Sequence, residues 1–166
     1  MLDSLIRLLM EISKFAKIKT RSMETGLKHL HSFLPYILLT VLVLALLKSF
    51  VAYRSNQVHT EAHRKNGLIV LIVAHLQLLL GIVLYFVSPK SLSALNNMGA
   101  AMKNADLRFY GLEHPLMMII ATVFITMAYS KSKKNIIDRL KHKIKSVYYL
   151  IALVLILSRI PWSVWL

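Results

Sequence analysis

Four long stretches of almost uninterrupted apolar residues constrain the fold of this chain more than any other feature. They run from about 31 to 53, 67 to 87, 107 to 129 and 146 to 165. A transmembrane helix needs roughly 20 apolar residues to cross the core of a bilayer, and each stretch has about that length. The sequence therefore predicts an all-α, multi-pass integral membrane protein: a bundle of four transmembrane helices.

The composition excludes an ordinary soluble domain. Of the 166 residues, 57% are hydrophobic and only 17% are charged, which is too apolar for a typical soluble protein. The charge is one-sided, with 21 Lys and Arg against 7 Asp and Glu. Because the basic residues cluster between the apolar stretches, they are typical of membrane-protein loops, and we expect no nucleic-acid binding.

Residues 1–22 form a separate unit in this prediction. Between Leu2 and Ile12 the apolar residues recur at helical spacing, and the charged residues lie largely on the other face, as in an amphipathic helix. The segment lacks the long apolar core and small-residue cleavage site of a signal peptide. We expect it to lie at the surface of an anionic leaflet, with the transmembrane bundle in residues 23–166.

Three histidines lie inside the apolar stretches or at their ends. His75 is in the interior of the second stretch, His31 opens the first, and His114 lies near the start of the third, next to Glu113 and Pro115. Polar groups at membrane depth are costly, so such histidines indicate either a functional site or a hydrogen bond between helices. The proline predicts a kink or a helix start beside His114.

Alternating span directions place these histidines towards one side of the membrane, together with Arg108 and Arg159. Neutral imidazoles from different helices can bind the iron of haem b without cysteine, and the chain has no cysteine. Both arginines are candidates for pairing with haem propionates. On straight helices His75 would lie about 8–10 Å deeper than His114, which opposes the binding of one haem iron by these two histidines. Alternatively, Glu113 pairs with an arginine and no cofactor is bound.

The rest of the sequence offers little further chemistry. His59, His63 and His142 lie in basic connections, and we interpret them as solvated side chains. No phosphate loop, zinc-protease motif, nucleophile elbow or pair of carboxylates is present in the sequence. These observations favour an electron-transfer or accessory membrane subunit over a stand-alone enzyme.

Five short motifs occur in a specific order and spacing. They are His29-Leu30-His31-Ser32, Ala74–Gly81, Met98–Lys103, Glu113-His114-Pro115 and Ser158–Trp162. Together they resemble a family of small bacterial four-span membrane proteins labelled cytochrome b, and the resemblance covers about Glu24 to Trp162. It implies a location in the bacterial inner membrane and points to His31, His75 and His114 as the histidines to test for haem binding.

The sequence thus predicts a b-type cytochrome-like protein that binds haem b through two of His31, His75 and His114. It would transfer electrons between a membrane quinol pool and a partner, with Glu113 beside the site as a proton relay. The alternative is a cofactor-free structural or accessory subunit of a larger membrane complex. A small transporter or metal channel is disfavoured, because the repeated halves and broken helices of such proteins are missing from the sequence.

Overall fold

The computed structural model describes residues 2–134 and 136–162, and all regular structure in those residues is helical. The fold prediction of an all-α chain is confirmed. The elements are α1 Leu2–Arg54, α2 Glu61–Val87, α3 Pro89–Asn96, α4 Met98–Lys103, α5 Ala105–Arg108, a π-helical turn Phe109–Glu113, α6 His114–Ser132 and α7 Asp138–Ser158.

Within the described ranges, three helices are long and apolar enough to cross a membrane. They are Ser22–Arg54, Glu61–Val87 and Ala105–Ser132, the last of which joins α5, the π-helical turn and α6. Large apolar side chains cover their outer faces, as expected for contact with lipid. The fourth predicted stretch, 146–165, begins within α7, and its residues 163–165 lie outside the described part of the chain.

The long helices pack through small residues. α1 contacts α2 and α7, and α6 contacts the same two helices. Helices in lipid gain no hydrophobic free energy from association, so close van der Waals contact between small side chains takes that role. The buried alanines at these contacts are Ala45, Ala52, Ala74, Ala121, Ala128 and Ala152.

The N-terminal segment continues directly into the first span. α1 runs without interruption from Leu2 to Arg54, and Pro35 lies inside it without ending it. The side chains of Ile6, Leu9 and Ile12 are exposed. The structure therefore shows no helix end at residue 22, and the interfacial position of residues 1–22 stays a prediction.

Helix ends and the middle connection follow from local sequence. After α1, Asn56 adopts a left-handed conformation with φ 50°, a conformation that asparagine tolerates at helix ends. The connection between α2 and the π-helical turn contains the three short helices α3, α4 and α5. Asn97 caps α4 by accepting from Ala100 N at 3.0 Å, and Asn104 caps α5 in the same way, which satisfies backbone donors at each helix start.

Candidate functional site

His31 on α1 and His114 at the start of α6 face each other. Their ring centroids are 6.2 Å apart and their planes lie at 79°. With metal–nitrogen bonds of about 2 Å, two imidazoles on opposite sides of one metal ion have centroids about 6 Å apart. At this separation both rings would be able to hold one metal ion, including the iron of a haem.

His114 is oriented by the end of α7. Its Nδ1 donates a hydrogen bond of 2.7 Å to the backbone oxygen of Arg159. Because a carbonyl oxygen can only accept, the proton lies on Nδ1, and Nε2 carries the free lone pair. Hydrogen bonds of this kind fix the ring orientation of metal-binding histidines. The Phe109 ring also packs against His114, with centroids 5.8 Å apart.

The expected helix distortion beside His114 takes the form of a π-helical turn. The N–H of His114 bonds to the oxygen of Phe109, five residues earlier. Pro115 has no N–H to donate to Gly111, and the hydroxyl of Tyr85 donates to the Gly111 oxygen at 2.8 Å instead. Single π-helical turns occur frequently at functional sites.

His31 packs against α2 at Gln77 and Gly81, two residues that the sequence alone does not identify as site residues. Gln77 Nε2 donates to the backbone oxygen of His31 at 3.0 Å and lies 3.1 Å from its Nδ1. A Cβ atom on Gly81 would lie 3.0 Å from Cε1 of His31, so glycine permits this close approach. The available signal was a glutamine at membrane depth, which needs a polar partner in another helix.

His75 does not join this pair. Its side chain is exposed, and its Nδ1 bonds at 2.8 Å to the oxygen of Leu71 on the same helix. Residues two apart on a helix point in different directions, so Gln77 faces His31 while His75 faces outwards. His75 and His114 are therefore not paired in the structure. His31 faces His114 instead, so the expected difference in depth between His75 and His114 does not bear on the pair that is observed.

Glu113 is paired with both candidate arginines. Its Oε1 lies 2.8 Å from Arg108 Nε, and its Oε2 lies 3.7 Å from Arg159 Nε. Arg108 also donates to the Met102 oxygen at 2.9 Å. This is the salt bridge of the cofactor-free alternative. Arg159 Nε, however, is buried without a hydrogen-bond partner, so this arginine retains an unused donor beside His114.

The interpretation of His59, His63 and His142 as solvated side chains is wrong for His142, which is 0% exposed. The three rings contact one another at the end of the molecule that carries the α1–α2 and α6–α7 connections, and Lys145 lies beside them. We call these four residues the loop-side cluster. The i, i+3 spacing of His142 and Lys145 on α7 was the available signal. Within the described residues, no three His, Asp or Glu side chains are arranged as a metal-binding group.

Comparison with protein-family models, curated proteins and solved structures finds no match to this chain. A functional assignment therefore depends on the geometry of the site itself.

Proposed function

We propose that this chain is a b-type cytochrome-like electron-transfer protein of the bacterial inner membrane that binds haem b between His31 and His114. The proposal includes α7 as a fourth membrane span, which completes a four-helix bundle. The observation that carries it is the pair of rings from two different helices with centroids 6.2 Å apart.

The ligands are pre-oriented by contacts that do not involve a cofactor. The carbonyl of Arg159 holds the proton of His114 on Nδ1 and leaves Nε2 available. Gln77 holds α1 against α2 through the backbone oxygen of His31. Ligands fixed in this way lose little conformational entropy when they bind a metal. Bound haem would supply a one-electron redox centre.

Arg159 is the residue that we propose for a haem propionate. Its Nε is buried, has no hydrogen-bond partner, and lies 3.7 Å from Glu113, beyond hydrogen-bond distance. A propionate carboxylate would provide the charge-assisted hydrogen bond that Glu113 does not make. Arg108 already donates both to Glu113 and to a backbone oxygen, so its role would be to hold Glu113 in place. Electron exchange with quinol and with another membrane subunit completes the proposal.

The test is a visible absorption spectrum of the detergent-purified protein, oxidised and then reduced with dithionite, with haem quantified per chain. We expect a Soret band and sharp reduced bands at near-stoichiometric haem. His31→Ala and His114→Ala should each lose most of the haem, and His75→Ala should retain it. Added imidazole should restore haem to both deficient variants by filling the vacated ligand position, which separates lost ligation from lost folding.

Folded protein that stays colourless after expression with haem available would overturn the proposal. Equal haem content in all three variants would overturn the ligand assignment. The second candidate is a cofactor-free accessory subunit of a membrane complex, and the pairing of Glu113 with Arg108 and Arg159 favours it. Colourless protein that co-purifies in fixed proportion with other membrane subunits would establish that function instead.

A further inference from the structure

The loop-side cluster brings three imidazoles and one amine into contact. The ring centroids of His59, His63 and His142 lie 4.7 to 5.7 Å apart. Lys145 is only 2% exposed, and its Nζ donates a hydrogen bond to the backbone oxygen of His63. These residues come from the α1–α2 connection, from α2 and from α7, so the cluster joins separate parts of the fold.

The hydrogen bonds of the cluster are incomplete. Both ring nitrogens of His142 are buried without a hydrogen-bond partner, and so is Nε2 of His59. Nδ1 of His63 lies 2.9 Å from the Thr60 hydroxyl at the start of α2. Buried polar groups without partners destabilise a fold and call for an explanation. In their neutral form these imidazoles are tolerated; a protonated ring in the same place would bury a charge.

No free counter-charge faces the cluster. From α7, Asp138 is paired with Lys141 at 3.0 Å, and at the start of α2, Glu61 is paired with Arg64 at 2.6 Å. The other titratable groups at the cluster are basic or phenolic. Lys48 on α1 acts on His63, and Tyr149 on α7 lies with Lys145 against Gly67. A proton added to the cluster therefore meets the charges of Lys48 and Lys145, and the carboxylate that acts on His142, Asp138, is already paired with Lys141.

The pKa values of the cluster residues that lie outside the spans are lowered, as expected for buried groups beside cations. Burial and then the charge of Lys145 lower the pKa of His59 from 6.5 to about 4. Burial and then the charge of His63 lower the pKa of His142, despite small opposing contributions from the backbone of Gln57 and from Asp138. Burial also lowers the pKa of Lys145 to about 8.

We propose that the loop-side cluster is a proton-binding site that couples the pH at this face of the membrane to the side-chain contacts that join the start of α2 to α7. At neutral pH the three imidazoles are uncharged and the helix ends stay together. In acid the rings bind protons, and the like charges repel one another and Lys145. The start of α2 and the start of α7 then separate, which lets water reach the new charges. The proposal is independent of haem binding at the opposite end of the bundle.

The absence of cysteine from the chain permits a direct distance measurement. Ala62→Cys and Lys143→Cys introduce spin labels at exposed positions on either side of the cluster. Pulsed electron–electron double resonance should give one narrow distance distribution at about pH 8, and a longer, broader one at about pH 3.5, below the lowered pKa of His59. His142→Phe keeps a buried ring but cannot be protonated, and it should abolish most of the acid-induced change. His29→Gln removes an exposed histidine outside the cluster and should leave the change intact.

A distance that stays constant across this pH range in the unsubstituted cluster would overturn the proposal, and so would an equal change in His142→Phe. Should His142→Phe fail to fold, NMR of protein with 13C-labelled histidine rings provides a second test. The cluster rings should remain neutral well below the pH at which exposed histidines titrate. Titration of all three at the ordinary value of about 6.5 would contradict the proposal.

Discussion

The hydroxyl of Tyr85 on α2 donates a hydrogen bond of 2.8 Å to the carbonyl oxygen of Gly111. That carbonyl lies four residues before Pro115, which has no N–H to complete the bond of a regular α-helix. Tyr85 thus supplies a donor from another helix at the place where the chain itself lacks one. The same bond ties α2 to the π-helical turn that positions His114.

Tyr85→Phe should reduce the free energy of unfolding by about 1–2 kcal/mol, because the partly buried carbonyl of Gly111 then loses a donor. The change keeps the ring and its packing on Phe86. Unfolding by sodium dodecyl sulfate, followed by circular dichroism, measures the effect. Tyr53→Phe is the control, since the Tyr53 ring packs under Arg139 away from this turn. Equal stability of the two variants would contradict the role given to Tyr85.

Gly111→Ala should destabilise the contact between the π-helical turn and α3. The added Cβ would clash with Cβ of Ala94, since it would lie much closer than two carbon atoms can approach. Overpacking of this kind costs about 1–3 kcal/mol. The second change Ala94→Gly should recover much of that loss, because it removes the clashing atom. Gly26→Ala is the control, since nothing lies within 4 Å of its added Cβ.

Acid should lower the stability of the fold in the pH range between the unfolded and folded pKa values of His59. The pKa of His59 falls from 6.5 to about 4 on folding, so the unfolded chain binds more protons than the folded chain between those values. Its contribution to stability is complete above pH 6.5 and is lost as the pH falls towards 4. Thermal unfolding at a series of pH values should show a falling Tm in this window, with a smaller slope in His59→Gln. A Tm independent of pH there would contradict the prediction.

The pair of Glu113 with Arg108 should contribute only modestly to stability. Both side chains are partly exposed, and ion pairs of this kind are worth about 0.2–1 kcal/mol. A double-mutant cycle with Glu113→Gln and Arg108→Gln isolates the coupling energy. We expect a favourable coupling in that range, which decreases as salt is added. Zero coupling at low salt would show that the ion pair contributes nothing measurable.

Residues 1–22 should bend onto the membrane surface if the interfacial prediction holds. Leu9→Trp, in a chain with Trp162 and Trp165 replaced by Phe, places one fluorophore on the exposed side of α1. Brominated lipids should then quench its fluorescence most strongly when the bromine lies near the headgroups. Leu44→Trp, at an exposed position within the first span, should be quenched by deeper bromines. An unquenched Leu9→Trp would show that α1 extends away from the bilayer.

The amino-acid sequence identified His31 and His114 as site candidates because polar residues stand out against apolar spans. It could not identify Gln77 as the partner of His31, or show that His75 faces outwards. His142 was misinterpreted because its charged neighbours in sequence indicated a solvated segment, whereas the start of α7 packs that ring against His59 and His63. The distortion before Pro115 was expected, but the Tyr85 donor comes from a distant part of the chain.

The sequence by itself determined that the chain is helical and that it carries apolar helices of membrane-spanning length. Hydropathy, helical spacing and proline geometry are local properties, so they can be recognised residue by residue. Only the tertiary structure decided which histidines meet. That outcome depends on the rotation of each helix about its own axis, which is set by the packing of small side chains between helices. Gln77 and His75 are two residues apart on α2, so they point to different sides of the helix. Gln77 reaches His31, whereas His75 faces outwards.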